Sequence, residues 1–323
     1  MSAAADPSAI AVSIIVPMLN AQDYVEAALH SILRETVVAL ETIVVDDGST
    51  DRSREIVESI GDPRIRVVEG PRRGISASLN TGLSHVRGEI VMRCDADDLY
   101  PEGRIRRQVA WLEAHPDQDA VCGAFSTIDT EGRLVAEVGK RGGPVFERIE
   151  AELCKGVTRT HLCTFAIRRR VFDRIGGFRE YFETAEDLDF QLRMGEACRV
   201  GYVPVDEYFY RLHGASITHS RSSGRRQFFD RVAVQFQQQR LLAGDDALTL
   251  GQAPAAPAAS ESPSGSVNMH MHGLLVGQSW RDLGEGRVRS GVSRAWRAVT
   301  SHPLYLRGWI NFAKILYRAA FPK

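Results

Sequence analysis

Between residues 11 and 93, short β-branched runs alternate with amphipathic stretches, and this alternation constrains the fold more than any other feature. Ala11 to Pro17 is apolar, β-branched and closed by proline, as a short buried strand should be. Thr42–Val45, Ile65–Val68 and Glu89–Arg93 repeat the pattern. Between them, Val25, Ala28, Leu29, Ile32 and Leu33 recur at helical spacing, with Asn20 as the expected N-cap. Ser53–Ile60 and Ser76–His85 supply two more helices. Strands and helices in this order imply an α/β fold with a parallel sheet. Ligands in such sheets bind beyond the carboxyl ends of the strands. Three of those ends carry polar clusters: Pro17–Asn20, Asp46–Asp51 and Cys94–Asp98.

The rest of the chain is less regular. Val121–Ile128 and Cys163–Arg168 read as strands, Arg170–Gly176 and Asp187–Glu196 as helices. Residues 1–10 read as a disordered lead and 243–266, rich in Ala, Pro and Ser, as a linker. The expected domains are therefore 11–242, with a regular half (11–120) and a less regular half (121–242), and a basic helical region at 267–323. Charge follows the same division. The formal net charge of -1 combines about +7 in residues 267–323 with about -8 before them. With 44% hydrophobic and 25% charged residues, wholesale disorder is excluded. No run approaches the roughly 20 apolar residues of a spanning helix. No basic segment precedes Ile10–Leu19, which argues against a signal peptide. Five cysteines without C-x-x-C suit a reduced, cytoplasmic setting.

The carboxylates carry the chemistry. Asp95, Asp97 and Asp98 repel one another unless a cation or water screens them. At a strand end they suit Mg²⁺ or Mn²⁺, which would hold a diphosphate and stabilise a leaving group; a solvated acidic turn is the plainer alternative. Asp46 or Asp47 could accept from a base N–H or a ribose hydroxyl, or could cap the next turn. Glu186, Asp187 and Asp189 open a helix, where the macrodipole alone favours acids and a general base could also sit.

Taken in order, several segments resemble family 2 glycosyltransferases of the GT-A fold. They are Ser13–Asn20, Val45–Asp51, Gly74–Gly82, Gly88–Val91, Asp95–Asp98, Ile175–Phe178 and Glu186-Asp187. The likeness covers about residues 11–220. It implies a GT-A-type nucleotide-binding sheet with flanking helices, here with a C-terminal helical extension. It also implies inverting transfer from a nucleotide-diphosphate sugar, UDP-sugar favoured, in surface polysaccharide or glycoconjugate synthesis. By the resemblance, Pro17 and Asp47 meet the base, Asp95 lies near the ribose and Asp97 holds the metal. Asp98 follows in the usual acidic position, and Asp187 of the Glu186-Asp187 pair is the general base. His213, in Tyr210–His213, matches a segment whose histidine reaches metal or diphosphate; a structural histidine is the other reading. Arg72 and Arg73 could support the phosphates or belong to a solvated loop. His161 and Arg168–Arg170 could meet the acceptor or be plain surface. One in-line displacement needs one base, unlike the paired carboxylates of a glycoside hydrolase.

Two other functions compete: a sugar nucleotidyltransferase and a non-catalytic transferase-like binding module. Met18–Ala21 lacks the Gly- and basic-rich loop of the first, and intact Asp47, Asp97 and Asp187 argue against the second. The expected acceptor is a saccharide, a lipid-linked group or another hydroxyl compound, and nucleic acid is not an expected partner. Residues 303–321 form a helical pattern with Pro303 at its first position. Arg307, Asn311, Lys314 and Arg318 make a polar stripe there. Peripheral contact with the inner face of a membrane and packing within a helical hairpin both remain open.

Overall fold

A computed structural model describes residues 10–139, 141, 145–214, 223–258, 267–301 and 303–321. All of the expected lead except Ile10 lies outside the described residues. The first half of the chain forms β1 (Val12–Met18), α1 (Val25–Leu33), β2 (Leu40–Asp46) and α2 (Ser53–Ser59). β3 (Ile65–Glu69), α3 (Ile75–Ser84) and β4 (Ile90–Arg93) follow. β3, β2, β1 and β4 lie side by side and parallel, with Val12 opposite both Leu40 and Ile90. β1 and β2 are buried along their whole length, which explains their mostly apolar character. Fully burying each Ile or Val is worth about 1.5–3 kcal/mol. Ser13 and Glu41 within them are paired: Ser13 donates to Glu41 at 2.6 Å and accepts from the Gly88 N–H at 2.8 Å.

The order 3-2-1-4 reverses direction at β1, so β1 and β4 flank a topological switch point. Pro17 does not end β1, which continues to Met18. The Ile15 carbonyl accepts from Cys94, so Pro17 faces the same side, beyond the Val12–Ile15 stretch that pairs with β4. No ladder bond is lost by its missing N–H.

The sheet continues through β8 (Ala166–Arg168), antiparallel to both β4 and β5 (Ala120–Ile128). β9 (Val200–Arg211) and β7 (Glu147–Arg148) follow, and β6 (Leu134–Val138) pairs with β5. α4 (Arg104–Ala114), α5 (Glu150–Leu153), α6 (Arg170–Ile175) and α7 (Glu186–Ala197) flank it. Gly176-Gly177, between α6 and α7, docks on α3. Gly176 has φ 75°, and a Cβ on Gly177 would lie 2.4 Å from the Asn80 Oδ1 that accepts from Phe178. The resemblance motif here is therefore a packing device that aims the chain toward α7.

Contacts divide the chain into two units: residues 1–125, 139–209 and 226–257 form one, and 126–138, 210–225 and 258–323 the other. This differs from the linear division expected. In the first unit, most of α8 (Ser223–Ala243) packs Phe229, Val232, Ala233 and Phe236 against Phe182 and Leu192. The start of the expected linker is ordered there: Leu248, Ala253 and Ala256 join that cluster, and Tyr181 donates to the Pro254 carbonyl at 2.7 Å. Asp246, fully buried, binds Arg179 and Arg240. Burial of small apolar residues outweighs the extended bias of the prolines.

The second unit contains α9 (Val267–Gly284), α10 (Val288–Ser301) and α11 (Leu306–Ala320). Val135, Ala136, Leu212, Leu275 and Ala298 make its core. Asp282, fully buried, is held by Arg287 at 2.6 Å and by Arg294. Pro303 is not the first residue of α11; Tyr305 caps the helix, and the Pro303 carbonyl accepts from Trp309 at 2.9 Å.

Candidate functional site

The ends of β2, β1 and β4 are neighbours, so their polar clusters lie side by side at one edge of the sheet in the first unit. Asn20 is not a helix N-cap, since α1 begins at Val25. It adopts φ 51°, a left-handed conformation Asn tolerates, and ties two loops together. Its N–H donates to Ser49 at 3.0 Å and its Oδ1 accepts from Thr50 at 2.8 Å. Ala21 donates to Ser53 at 2.7 Å and Gln22 to Asp51 at 3.1 Å. The Asp46–Asp51 cluster thus laces the loops at the strand ends. Asp46, buried, accepts from Ser49 in an Asx turn. Asp47 is half-buried and accepts from the N–H groups of Arg72 (2.6 Å) and Gly74 (3.1 Å). It therefore shapes the 70–74 loop. The Arg72 and Arg73 side chains lie exposed on that loop, paired with Glu69 and Glu180.

The third cluster is organised by Arg93, which sequence reasoning did not single out. Its guanidinium binds Asp95 through both oxygens, at 2.6 and 3.1 Å, and reaches Glu186 at 3.2 Å. A bidentate pair of this kind fixes orientation as well as charge. The Asp95 N–H donates to Tyr208 at 3.0 Å, and Cys163 Sγ lies 3.7 Å from its carboxylate. Burial pushes the Cys163 thiol well above its usual range. Asp97 is half-buried on the turn, whereas Asp98 is fully buried. A readable signal existed for Arg93: it shares a strand-spacing face with Asp95 at the end of an apolar run.

Ala185, in a left-handed conformation (φ 65°), starts α7 and presents Glu186 and Asp187 at its N-terminus. The three acids there divide their roles. Asp189 is fully buried and structural, held by Arg179 and by Arg193 at 2.9 Å. Glu186 is buried and its pKa is pushed up to about 7 by desolvation and the Asp187 charge, with Arg93 opposing. Asp187 stays partly exposed; one oxygen accepts from the Leu188 N–H at 2.8 Å and the other lies 3.7 Å from His161 Nε2.

His161 thus stands beside Asp187. Its Nδ1 accepts from the Cys163 N–H at 3.3 Å, so the neutral ring carries its proton on Nε2, toward Asp187. Burial lowers its pKa, against the opposing effect of Asp187 and Asp95. Asp230 on α8 also senses the Asp187 charge: burial first, then Asp187, raise its pKa, with Arg226 opposing. Arg168, Arg169 and Arg170 do not belong here. β8 is antiparallel to β4 and sets Arg168 opposite Ile90, at the far end of the sheet from Asp95. They bind the Gln118 carbonyl, Glu89 and Asp119. His213 lies buried in the second unit.

Among the described residues, no three His, Cys, Asp or Glu side chains converge as a metal set. The donor chemistry nonetheless fits a hard cation. Mg²⁺ commonly takes one or two protein carboxylates and fills its shell with phosphate and water.

The Glycosyl transferase family 2 model matches residues 13–176. The uncharacterized glycosyltransferase EpsJ of Bacillus subtilis is 32% identical over 216 residues, 64% of this chain and 62% of EpsJ. The chondroitin synthase of Pasteurella multocida is 28% identical over 208 residues, 63% of this chain and 21% of that enzyme. The chain therefore spans less than two thirds of these relatives. Among solved structures, S. aureus TarS 1–349, determined with UDP-GlcNAc, superposes with a TM-score of 0.56 at 18% identity. The match covers 90% of this chain and 81% of TarS 1–349. The observed fold is the GT-A type that the sequence resemblance implied.

Proposed function

Because the chain belongs to glycosyl transferase family 2, we propose that it transfers a glycosyl group, with inversion, from a nucleotide-diphosphate sugar to an acceptor hydroxyl. The acceptor is a saccharide or a lipid-linked group. One observation carries the reading: Arg93 binds Asp95 at the end of β4 and Glu186 at the start of α7, so Asp187 and the Asp95–Asp98 turn share one cleft.

The chemistry follows from that placement. The nucleotide lies across the ends of β1, β2 and β4, with Pro17 and Asp47 at the base and Asp95 toward the ribose. A divalent cation, Mn²⁺ or Mg²⁺, would be held by Asp97, because Asp95 is already bound through both oxygens by Arg93. When bound, it would supply charge stabilisation to the departing diphosphate. The acceptor hydroxyl attacks the anomeric carbon on the face opposite the diphosphate. Asp187 takes the hydroxyl proton as the new C–O bond forms, and the electron pair of the breaking bond leaves with the diphosphate. His161 orients Asp187 from its buried side.

Asp187→Asn tests it. General-base loss costs about 10²–10⁴ in rate, while donor affinity, read by the thermal shift with UDP or GDP and their sugars, stays at the wild-type value. Wild-type turnover in this variant overturns the base assignment. Donor binding without transfer by the wild-type chain, across an acceptor screen, supports the binding-module alternative instead.

A further inference from the structure

The helix α11 turns the wrong way for an ordinary surface helix. Its sequence pattern places Arg307, Asn311, Lys314 and Arg318 on one polar stripe, expected to face water. In the structure the fully buried positions are Gly308 and Ile315, with Asn311, Phe312 and Arg318 half-buried beside them. The cause is a close approach: a Cβ on Gly308 would lie 2.7 Å from the His272 ring of α9. A Cβ at 308 would have to displace the His272 ring, so glycine is what allows the two helices to come this close.

The rotation leaves the opposite, apolar face uncovered. Leu306 is 72% exposed, Ile310 47%, Tyr317 69% and Phe321 64%. Their spacing, i, i+4, i+11 and i+15, puts them on one line along the helix. Trp309 and Leu316 extend the face on one flank. On the other, Arg307 and Lys314 are exposed one above the other. Isolated surface hydrophobics need no explanation, but a contiguous face of this size marks an interaction site.

Charge identifies the occupant. No Asp or Glu occurs from residue 286 to 323. A second copy docking through the same face would bring these cations together with nothing to neutralise them. An anionic lipid surface takes both the apolar face and the cationic flank. No described helix is long and apolar enough to cross a membrane, so the element would lie in the interface plane. We propose that α11 is a membrane-surface anchor that seats its Leu306–Ile310–Tyr317–Phe321 face in anionic lipid, with Arg307 and Lys314 at the headgroups. This stands independently of the transferase reading.

The test is vesicle co-sedimentation of the full chain. Phosphatidylcholine vesicles are compared with vesicles containing added phosphatidylglycerol, at low and high salt. Binding is expected with phosphatidylglycerol and should weaken with salt. The double substitution Arg307→Gln and Lys314→Gln should lower partitioning about tenfold or more, from the loss of two headgroup cations. Ile310→Glu with Tyr317→Glu should abolish it. Circular dichroism and unfolding midpoints at the wild-type values show that these exposed substitutions leave the helices folded. If Ile310→Glu with Tyr317→Glu does unfold the chain, the Arg307 and Lys314 pair alone decides. Failure to bind phosphatidylglycerol vesicles at low salt overturns the proposal, as does wild-type binding by the folded variants. So does a concentration-dependent dimer in light scattering that the glutamate variants abolish while no lipid is bound.

Discussion

Replacing Glu186 with Gln isolates one buried ionisation from the rest of the protein. Glu186 is 7% exposed, and its folded pKa is raised from the ordinary 4.5 to about 7. A raised folded pKa means the folded state holds this proton more tightly than the unfolded state does. The associated stability is fully present below the unfolded value and is lost as pH rises through the folded one. Between pH 5 and pH 8 this group alone should withdraw roughly 2–3 kcal/mol from the wild-type protein. A glutamine amide at this position would fill the same volume and cannot titrate. The variant's loss of the full charge interaction with Arg93 sets a fixed offset; the slope with pH belongs to the missing proton. The measurement is urea unfolding of both proteins at several pH values, plotting variant minus wild type so that shared titrations cancel. The difference should climb by that amount in favour of Glu186→Gln, with its midpoint near pH 6. Parallel curves, or a difference that falls with pH, would refute the view that this carboxylate is held at a desolvation cost beside Asp187.

Two further substitutions probe the same cleft. Asp97→Ala should remove the extra thermal stabilisation that Mn²⁺ adds to UDP; saturation at a hundredfold excess over Kd is worth about 2.7 kcal/mol, and an undiminished Mn²⁺ increment in the variant would move the metal away from Asp97. His161→Gln should lower turnover about tenfold to a hundredfold through a misplaced Asp187, with the donor KM unchanged. Wild-type turnover would assign His161 a purely structural role.

Much of the sheet was legible because its signals are local. Strands buried on both faces read as mostly apolar runs, and turn residues mark their ends within a few positions. The Asp95–Asp98 turn and the Glu186-Asp187 pair stand out by the same local signals, while the roles proposed for them came from the family resemblance. Local signals also misled. Asn20 has the chemistry of an N-cap but is used in a left-handed turn to hold Thr50, 30 residues away. Pro254 and its alanine neighbours look like a linker, yet they pack against the Phe229–Phe236 face of α8. In each case a long-range contact outweighed the local preference.

The sequence by itself determined that carboxylates stand at the ends of parallel strands, because strand period and turn chemistry are properties of consecutive residues. It also determined that the last 38 residues carry cations and no acids. Only the tertiary structure decided which acid does what. Asp189 became structural because Arg179 and Arg193 surround it, and Glu186 became a high-pKa neighbour because burial and the Asp187 charge outweigh the compensation from Arg93. Arg93 and Glu186 are 93 positions apart, a separation over which no periodicity operates. The orientation of α11 was likewise set from outside the helix. Gly308 meets His272 of α9 and Phe312 meets Trp296 of α10, contacts between helices that no run of consecutive residues encodes.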